Sequence, residues 1–253
     1  MTERAIVLNL VRSIAFNVLF YLNTLFWLIV GLPTFFMPYR AIIWVAKTWG
    51  RVNLVLLRVA GIDYELRGTE KIPPGPLIVA SKHQSTWETL TLNFWFTPQS
   101  WVVKRELLWA PIFGWGMRMM NPIALDRGAG RKAIEQLVEQ GRERLEKGRW
   151  IIIFPEGTRI APGKKGRYRI GGAVLAERTG YPVTPVAHNA GEYWPRRQFI
   201  KKPGVIQVRI GPRIESEHKT AQQILSEAER WIESEMANIT TLQQHDYGKD
   251  PVT

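Results

Sequence analysis

The hydrophobic pattern divides the chain in two. From Ser13 to Tyr39, "SIAFNVLFYLNTLFWLIVGLPTFFMPY", no residue is charged. A helix through that run would reach about 40 Å, more than the ~30 Å of a hydrocarbon core. Gly31, Pro33 and Pro38 predict that the helix ends before the run does. The run is too long for a cleaved signal peptide and has no convincing small-residue cleavage site, so it reads as a retained membrane segment. In the next segment, "RAIIWVAKTWGRVNLVLLRVAG", Arg40, Lys47, Arg51 and Arg58 fall within about 20° of one line on a helix. One basic stripe and a wide apolar remainder suit a membrane interface better than a core helix with a solvated edge. Basic residues flank the apolar run on both sides, so charge does not separate a single span from a re-entrant hairpin.

From about Tyr64 the pattern is that of an α/β domain. Short β-rich runs recur at 64–66, 77–81, 101–103, 122–125, 150–154, 183–187 and 205–210. Helical stretches lie between several of them. "RKAIEQLVEQGRERLEKG" places Ile134, Leu137, Val138 and Leu145 on one face, and "KTAQQILSEAERWIESEM" closes the domain. Strands alternating with helices predict an α/β fold, with a largely parallel sheet covered on both faces and a helical pair before it. The expected organisation is membrane-associated helices over 1–60, the α/β domain over 61–243 and a flexible tail over 244–253.

Composition adds a charge argument. Lysine and arginine total 34 against 22 acidic residues, a formal charge of +12, which implies an anionic partner: nucleic acid, an anionic membrane surface or a phosphorylated substrate. Cysteine is absent, which excludes disulfides, thiolate metal sites and an acyl-cysteine intermediate. His83, His188, His218 and His245 are scattered without metal-ligand spacing, so no metal site is expected.

Candidate chemistry gathers where apolar runs end. "ASKHQSTWETL" carries His83 and Glu88. On one continuous helix they would sit about 140° apart and could not meet. They can pair only if His83 lies in the loop after the strand and Glu88 in the first helical turn. Ser85-Thr86-Trp87-Glu88 is an S-x-x-E capping box that starts such a helix. Glu88 therefore has two readings, a cap for its own helix or a partner for the imidazole, and one oxygen can serve each. "IIIFPEGTRI" ends a strand in a polar turn, where ligands collect in open α/β sheets. Gly157 permits an unusual backbone angle there, and the planar fork of Arg159 suits a phosphate. Lys104 and Arg127 also follow short apolar strands. If those strands are neighbours, three cations and a histidine converge on one rim.

In these blocks the chain resembles the glycerolipid acyltransferase superfamily and, within it, the bacterial 1-acyl-glycerol-3-phosphate (lysophosphatidate) acyltransferases. The first block of that family is a histidine, four residues and an acid, here His83 to Glu88. The second is matched by Lys104, Glu106, Leu107, Pro111 and Gly114, with Asp126-Arg127 later. The third, Phe-Pro-Glu-Gly-Thr-Arg, is unaltered at 154–159, and a proline-centred apolar segment around Pro185 is the fourth. The order holds over residues 64–215. The usual acid of the first block is aspartate, and here it is Glu88. The resemblance implies transfer of a fatty acyl group from acyl-CoA or acyl carrier protein to the sn-2 hydroxyl of lysophosphatidate, giving phosphatidate. His83 would be the base and Glu88 its orienting acid; Lys104, Arg127, Glu156, Gly157, Thr158 and Arg159 would bind substrate. No cofactor is implied, and the implied place is a bacterial inner membrane with the domain on its cytoplasmic side. Without a G-x-S-x-G elbow or a cysteine, direct transfer is expected, and the helix start near Ser85 could offer amides to the oxyanion. A glycerol 3-phosphate or other lysolipid acyltransferase would share these blocks. A nucleic-acid binder would leave the uncharged run unexplained, and a non-catalytic lipid-binding protein would leave the rim unexplained.

Overall fold

The computed structural model describes residues 3–242; the expected tail and His245 lie outside them. The first helix, α1, runs over Glu3–Gly31 and passes into a short 3-10 helix, Leu32–Phe36. Helix α2 follows over Tyr39–Leu57. Strands β1 (Ile62–Arg67) and β2 (Ile78–Ser81) lead to α3 (Trp87–Trp95), then β3 (Gln99–Lys104) and α4 (Phe113–Met119). The chain continues through β4 (Ile123–Leu125), α5 (Arg131–Glu146) and β5 (Trp150–Ile153). Helix α6 (Gly171–Thr179), β6 (Val183–His188), α7 (Ala190–Tyr193), β7 (Gly204–Ile210) and α8 (Ala221–Ile239) complete it.

The seven strands form one sheet in the order β1-β7-β6-β2-β5-β3-β4. Strands β6, β2, β5, β3 and β4 run parallel, while β7 is antiparallel to β6 and parallel to β1. Central strands β2, β5 and β6 are buried along their whole length, as their near-continuous apolar runs require. Alternation divides the core between the two faces: Val79, Trp101 and Ile152 pack with residues of α2 and α3, and Ile78, Ile151 and Ile153 with those of α5, α6 and α8.

The amino-terminal helices are attached to this domain. Helix α1 packs along α2 and against the turn at Arg58–Ala60. Its inward residues include polar ones: Ser13 Oγ accepts the Lys201 amide at 2.9 Å, and Asn17 Nδ2 donates to the Phe199 carbonyl at 3.0 Å. Phe16 meets Trp194 edge-on with ring centroids 5.1 Å apart. The rest of α1 and the following turn expose apolar groups such as Tyr21, Leu22, Phe26, Ile29 and Phe36. The wide apolar interfacial face expected for α2 requires correction. Ile42, Ile43, Val45, Ala46 and Leu57 are buried, leaving Trp44, Val55 and the basic residues at the surface. Gly50 permits this packing, since a Cβ there would lie 2.7 Å from the Leu90 carbonyl of α3.

Candidate active site

The strand order brings the predicted blocks together. Carboxyl ends of β6, β2, β5, β3 and β4 lie side by side, with Val186 beside Ser81, Ala80 beside Ile153, and Lys104 beside Leu125. His83 therefore leaves the central strand between the Phe154–Arg159 turn and the end of β6. Its backbone is held from that turn: the His83 amide donates to Glu156 Oε2 at 3.0 Å, and its carbonyl accepts from the Ile160 amide at 2.8 Å. The ring stacks on Phe154 with centroids 3.8 Å apart and planes 12° apart.

Glu88 caps the helix start with one oxygen and faces the imidazole with the other. Oε1 accepts from the Gln84 and Ser85 amides, each at 2.7 Å, and Oε2 lies 3.8 Å from His83 Nδ1. That separation is longer than a hydrogen bond, as catalytic pairs often are before substrate binds. Neither His83 Nδ1 nor Glu88 Oε2 has another hydrogen-bond partner. Burial alone would raise the Glu88 carboxyl from its usual 4.5, but His188, His83 and the Gln84 amide outweigh it and lower it to about 2. A carboxylate that stays ionised beside an imidazole can hold the ring and stabilise its protonated form. The expected oxyanion role of the helix start loses three of its candidate donors to the same geometry. The Gln84 and Ser85 amides are committed to Glu88, and the Trp87 amide to Ser85 Oγ at 3.2 Å.

Below this pair lies a buried charged layer. Lys82 is wholly buried, with Nζ 2.7 Å from Glu156 Oε1 and 2.8 Å from Glu233 Oε1 of α8. Tyr168 donates to the same Glu233 oxygen at 2.7 Å. Burial holds the Glu156 carboxyl above its usual value, against the pull of Lys82 and the His83 amide. Both oxygens of Glu156 are bound to the protein. Its expected place against substrate is therefore revised: it holds the histidine's backbone from beneath.

The cations occupy the rim above. Lys104 is half exposed at the end of β3, 3.5 Å from Glu106. Arg127 opens the short helix after β4, and its side chain lies outside what the structure describes. Gly157 adopts φ +70, a left-handed angle that turns the chain back behind β5. Thr158 is exposed, with Oγ1 3.5 Å from Arg196 Nη1. Arg159 is partly buried; desolvation lowers its pKa, Glu88 opposes that and Arg196 adds to it. Arg159 and Arg196 are thus close to each other and to the acid of the pair. Gly114 belongs to the second block for a packing reason, because a Cβ there would lie 2.5 Å from the Leu108 carbonyl.

One space lies on each face of the sheet. An apolar cavity of about 100 Å³ lies between α1, α2, α3 and α4, lined by Trp27, Ile42, Trp49, Trp101 and Met120 among others. Trp101 is 6.0 Å, centroid to centroid, from the Phe154 ring on which His83 stacks. On the other face of the sheet a cleft of about 960 Å³ includes Phe154, Gly157, Lys165, Arg167 and Arg169. Among the described residues no group of three or more His, Cys, Asp or Glu is placed to hold a metal ion.

A histidine–carboxylate pair and several cations on the carboxyl rim of an α/β sheet are built for general-base chemistry on an anionic substrate. Comparison with known proteins places that arrangement. The Acyltransferase family pattern matches residues 63–189. A 1-acyl-sn-glycerol-3-phosphate acyltransferase of Pseudomonas aeruginosa is 45% identical, covering 92% of this chain and 93% of its own. The 1-acyl-sn-glycerol-3-phosphate acyltransferase of Saccharomyces cerevisiae is 31% identical over 70% of this chain and 59% of its own. The crystal structure of the 1-acyl-sn-glycerophosphate (LPA) acyltransferase PlsC from Thermotoga maritima superposes with a TM-score of 0.76. It covers 93% of this chain and 97% of its own at 22% identity, a likeness of fold. The chain belongs to the acyltransferase family and is an enzyme of that family.

Proposed function

We propose that the protein transfers a fatty acyl group from acyl-CoA or acyl carrier protein to the sn-2 hydroxyl of 1-acyl-glycerol 3-phosphate, giving phosphatidate at a membrane surface. The observation that carries this reading is His83 itself, stacked on Phe154 and facing Glu88 at a rim between an apolar cavity and a wide basic cleft. His83 takes the proton of the hydroxyl as its oxygen attacks the thioester carbon. The tetrahedral intermediate then expels the thiolate, and His83 returns the proton to that sulfur, so no resident cofactor is needed. Glu88 steadies the imidazolium in between. Arg159, Arg196, Lys104 and Arg127 suit the acceptor's phosphate, while Gly157 and Thr158 shape the turn that carries Arg159.

The apolar cavity between the helices suits a few methylenes of the acyl chain. The basic cleft suits the donor, whether the phosphates of CoA or an acidic carrier protein. The outward apolar residues of α1 suit lipid, which would place the site beside a substrate and product that both live in the bilayer. We assign the protein to a bacterial inner membrane, with the α/β domain on the cytoplasmic side. Lysophosphatidate, glycerol 3-phosphate and lysolipids with other head groups, each offered with labelled acyl-CoA and acyl carrier protein, test this reading. Phosphatidate from lysophosphatidate alone supports it. Transfer to another acceptor keeps the chemistry and changes the substrate, and no transfer from either donor overturns the reading.

A further inference from the structure

His188 ends β6, and the pairing of Ser81 with Val186 brings it beside the chain that carries His83. Its ring is fully buried, 5.8 Å from the Trp87 ring, and is not placed to touch substrate. Both ring nitrogens have partners. Nδ1 accepts the Ala190 amide at 3.3 Å, so it carries no proton. Nε2 lies 2.8 Å from the Lys82 carbonyl, which can only accept, so Nε2 carries the proton. The same Nε2 is 3.3 Å from Glu88 Oε1. Burial lowers the His188 pKa, in keeping with this neutral form. Glu88 is thus set between two imidazoles: the Gln84 and Ser85 amides donate to Oε1, the His188 ring lies against that same oxygen, and His83 faces Oε2.

We propose that His188 is a positioning residue: its ring, pinned by the Lys82 carbonyl and the Ala190 amide, backs the Glu88 carboxylate at 3.3 Å so that the second oxygen stays aimed at His83. This also gives the glutamate a reason. An aspartate would be shorter by one methylene, about 1.5 Å, and would draw the carboxylate back from both rings. Lys82 serves the same arrangement through its carbonyl, which holds the His188 proton, while its ammonium anchors Glu156 under the His83 amide.

The inference rests on the acyl-transfer reading, and the test separates the two. kcat and KM for lysophosphatidate are measured in vesicles for the unmutated protein, His188→Leu, His188→Gln, Glu88→Gln and the His188→Leu/Glu88→Gln pair. Loss of the polar ring that backs the carboxylate predicts that His188→Leu lowers kcat about 10- to 100-fold, with KM within about twofold. His188→Gln, which keeps an N–H near the same point, recovers most of that loss. In the Glu88→Gln background, the leucine costs less than about threefold more, because both changes disable the same unit. Unchanged kcat in His188→Leu, full multiplication of the two losses, or a folded His188→Gln as impaired as the leucine would overturn the proposal. Ring-nitrogen NMR of the unmutated protein decides the case even if the leucine variant does not fold. A single proton on His188 Nε2 is expected, and a charged ring or an Nδ1–H form refutes it. If the unmutated protein transfers nothing from either donor, the acyl-transfer reading fails, and the NMR result still judges the geometry.

Discussion

Helix α1 and the catalytic rim invert the ordinary rule of burial in opposite ways. Along α1, residues such as Tyr21, Leu22, Phe26 and Phe36 face outward, while Ser13 is fully buried and Asn17 bonds to the loop before β7. Around the rim, Lys82, Glu88, Glu156 and His188 are buried, while Trp109 and Trp115, in the segment after β3, stand in the open. Exposed apolar surface costs little where the surroundings are lipid, and buried charge is tolerated where every group has a partner. On the proposed function, one region is adapted to a lipid surround and the other to its chemistry. Ser13 and Asn17, together with Phe16, therefore mark where α1 grips the domain, and the buried charges of the rim mark what must not move.

Mutations that break this contrast should differ in size. Lys82→Met leaves Glu156 and Glu233 facing each other without the cation they share. It should lower the unfolding free energy by about 3–5 kcal/mol, read from denaturant melts in detergent. Glu88→Gln should act on pH dependence next. The Glu88 carboxyl is lowered from 4.5 to about 2, so its contribution to stability is full above 4.5 and is lost as pH falls toward 2. Melts across that window should show a shallower acid slope in the variant than in the unmutated protein. Arg159→Ala should cost about 1.5–3 kcal/mol in kcat/KM for the phosphorylated acceptor, with smaller changes for an acceptor that lacks the phosphate. On α1, Ser13→Val removes the acceptor of the buried Lys201 amide and should cost about 1–3 kcal/mol in stability. Its effect on turnover at saturating substrate should be the smallest of the four.

Much of this was legible before any fold was seen. The seven β-rich runs stand out because glycine, proline or charge bounds each apolar stretch, and the structure moves their ends by only a few residues. His83 and the 154–159 turn could be read because each lies just after a strand, and Glu88 because an S-x-x-E capping box marks the helix start. What joins them in space was less accessible. Lys82 looks like a surface cation next to a histidine, and its burial depends on Glu156 and on Glu233 of a helix much later in the chain. His188 looked isolated because its closeness to Glu88 follows from β6 lying beside β2, a matter of strand order. Arg196 left a faint signal, the basic pair in "YWPRRQF", but nothing local ties it to Thr158. For α2 the helical period identified the basic stripe but not what covers the other faces. That depends on Gly50 admitting α3.

The central claim is that His83 is the base of acyl transfer, and the rate of phosphatidate formation by His83→Ala tests it most directly. The variant and the unmutated protein would be assayed in the same vesicles with saturating lysophosphatidate and acyl donor, alongside a thermal melt and a vesicle-binding measurement. A loss of about 10²- to 10⁴-fold in rate, with folding and vesicle binding retained, is the predicted result. A folded, vesicle-bound variant that works within about threefold of the unmutated rate would contradict it, since removal of a true base costs far more.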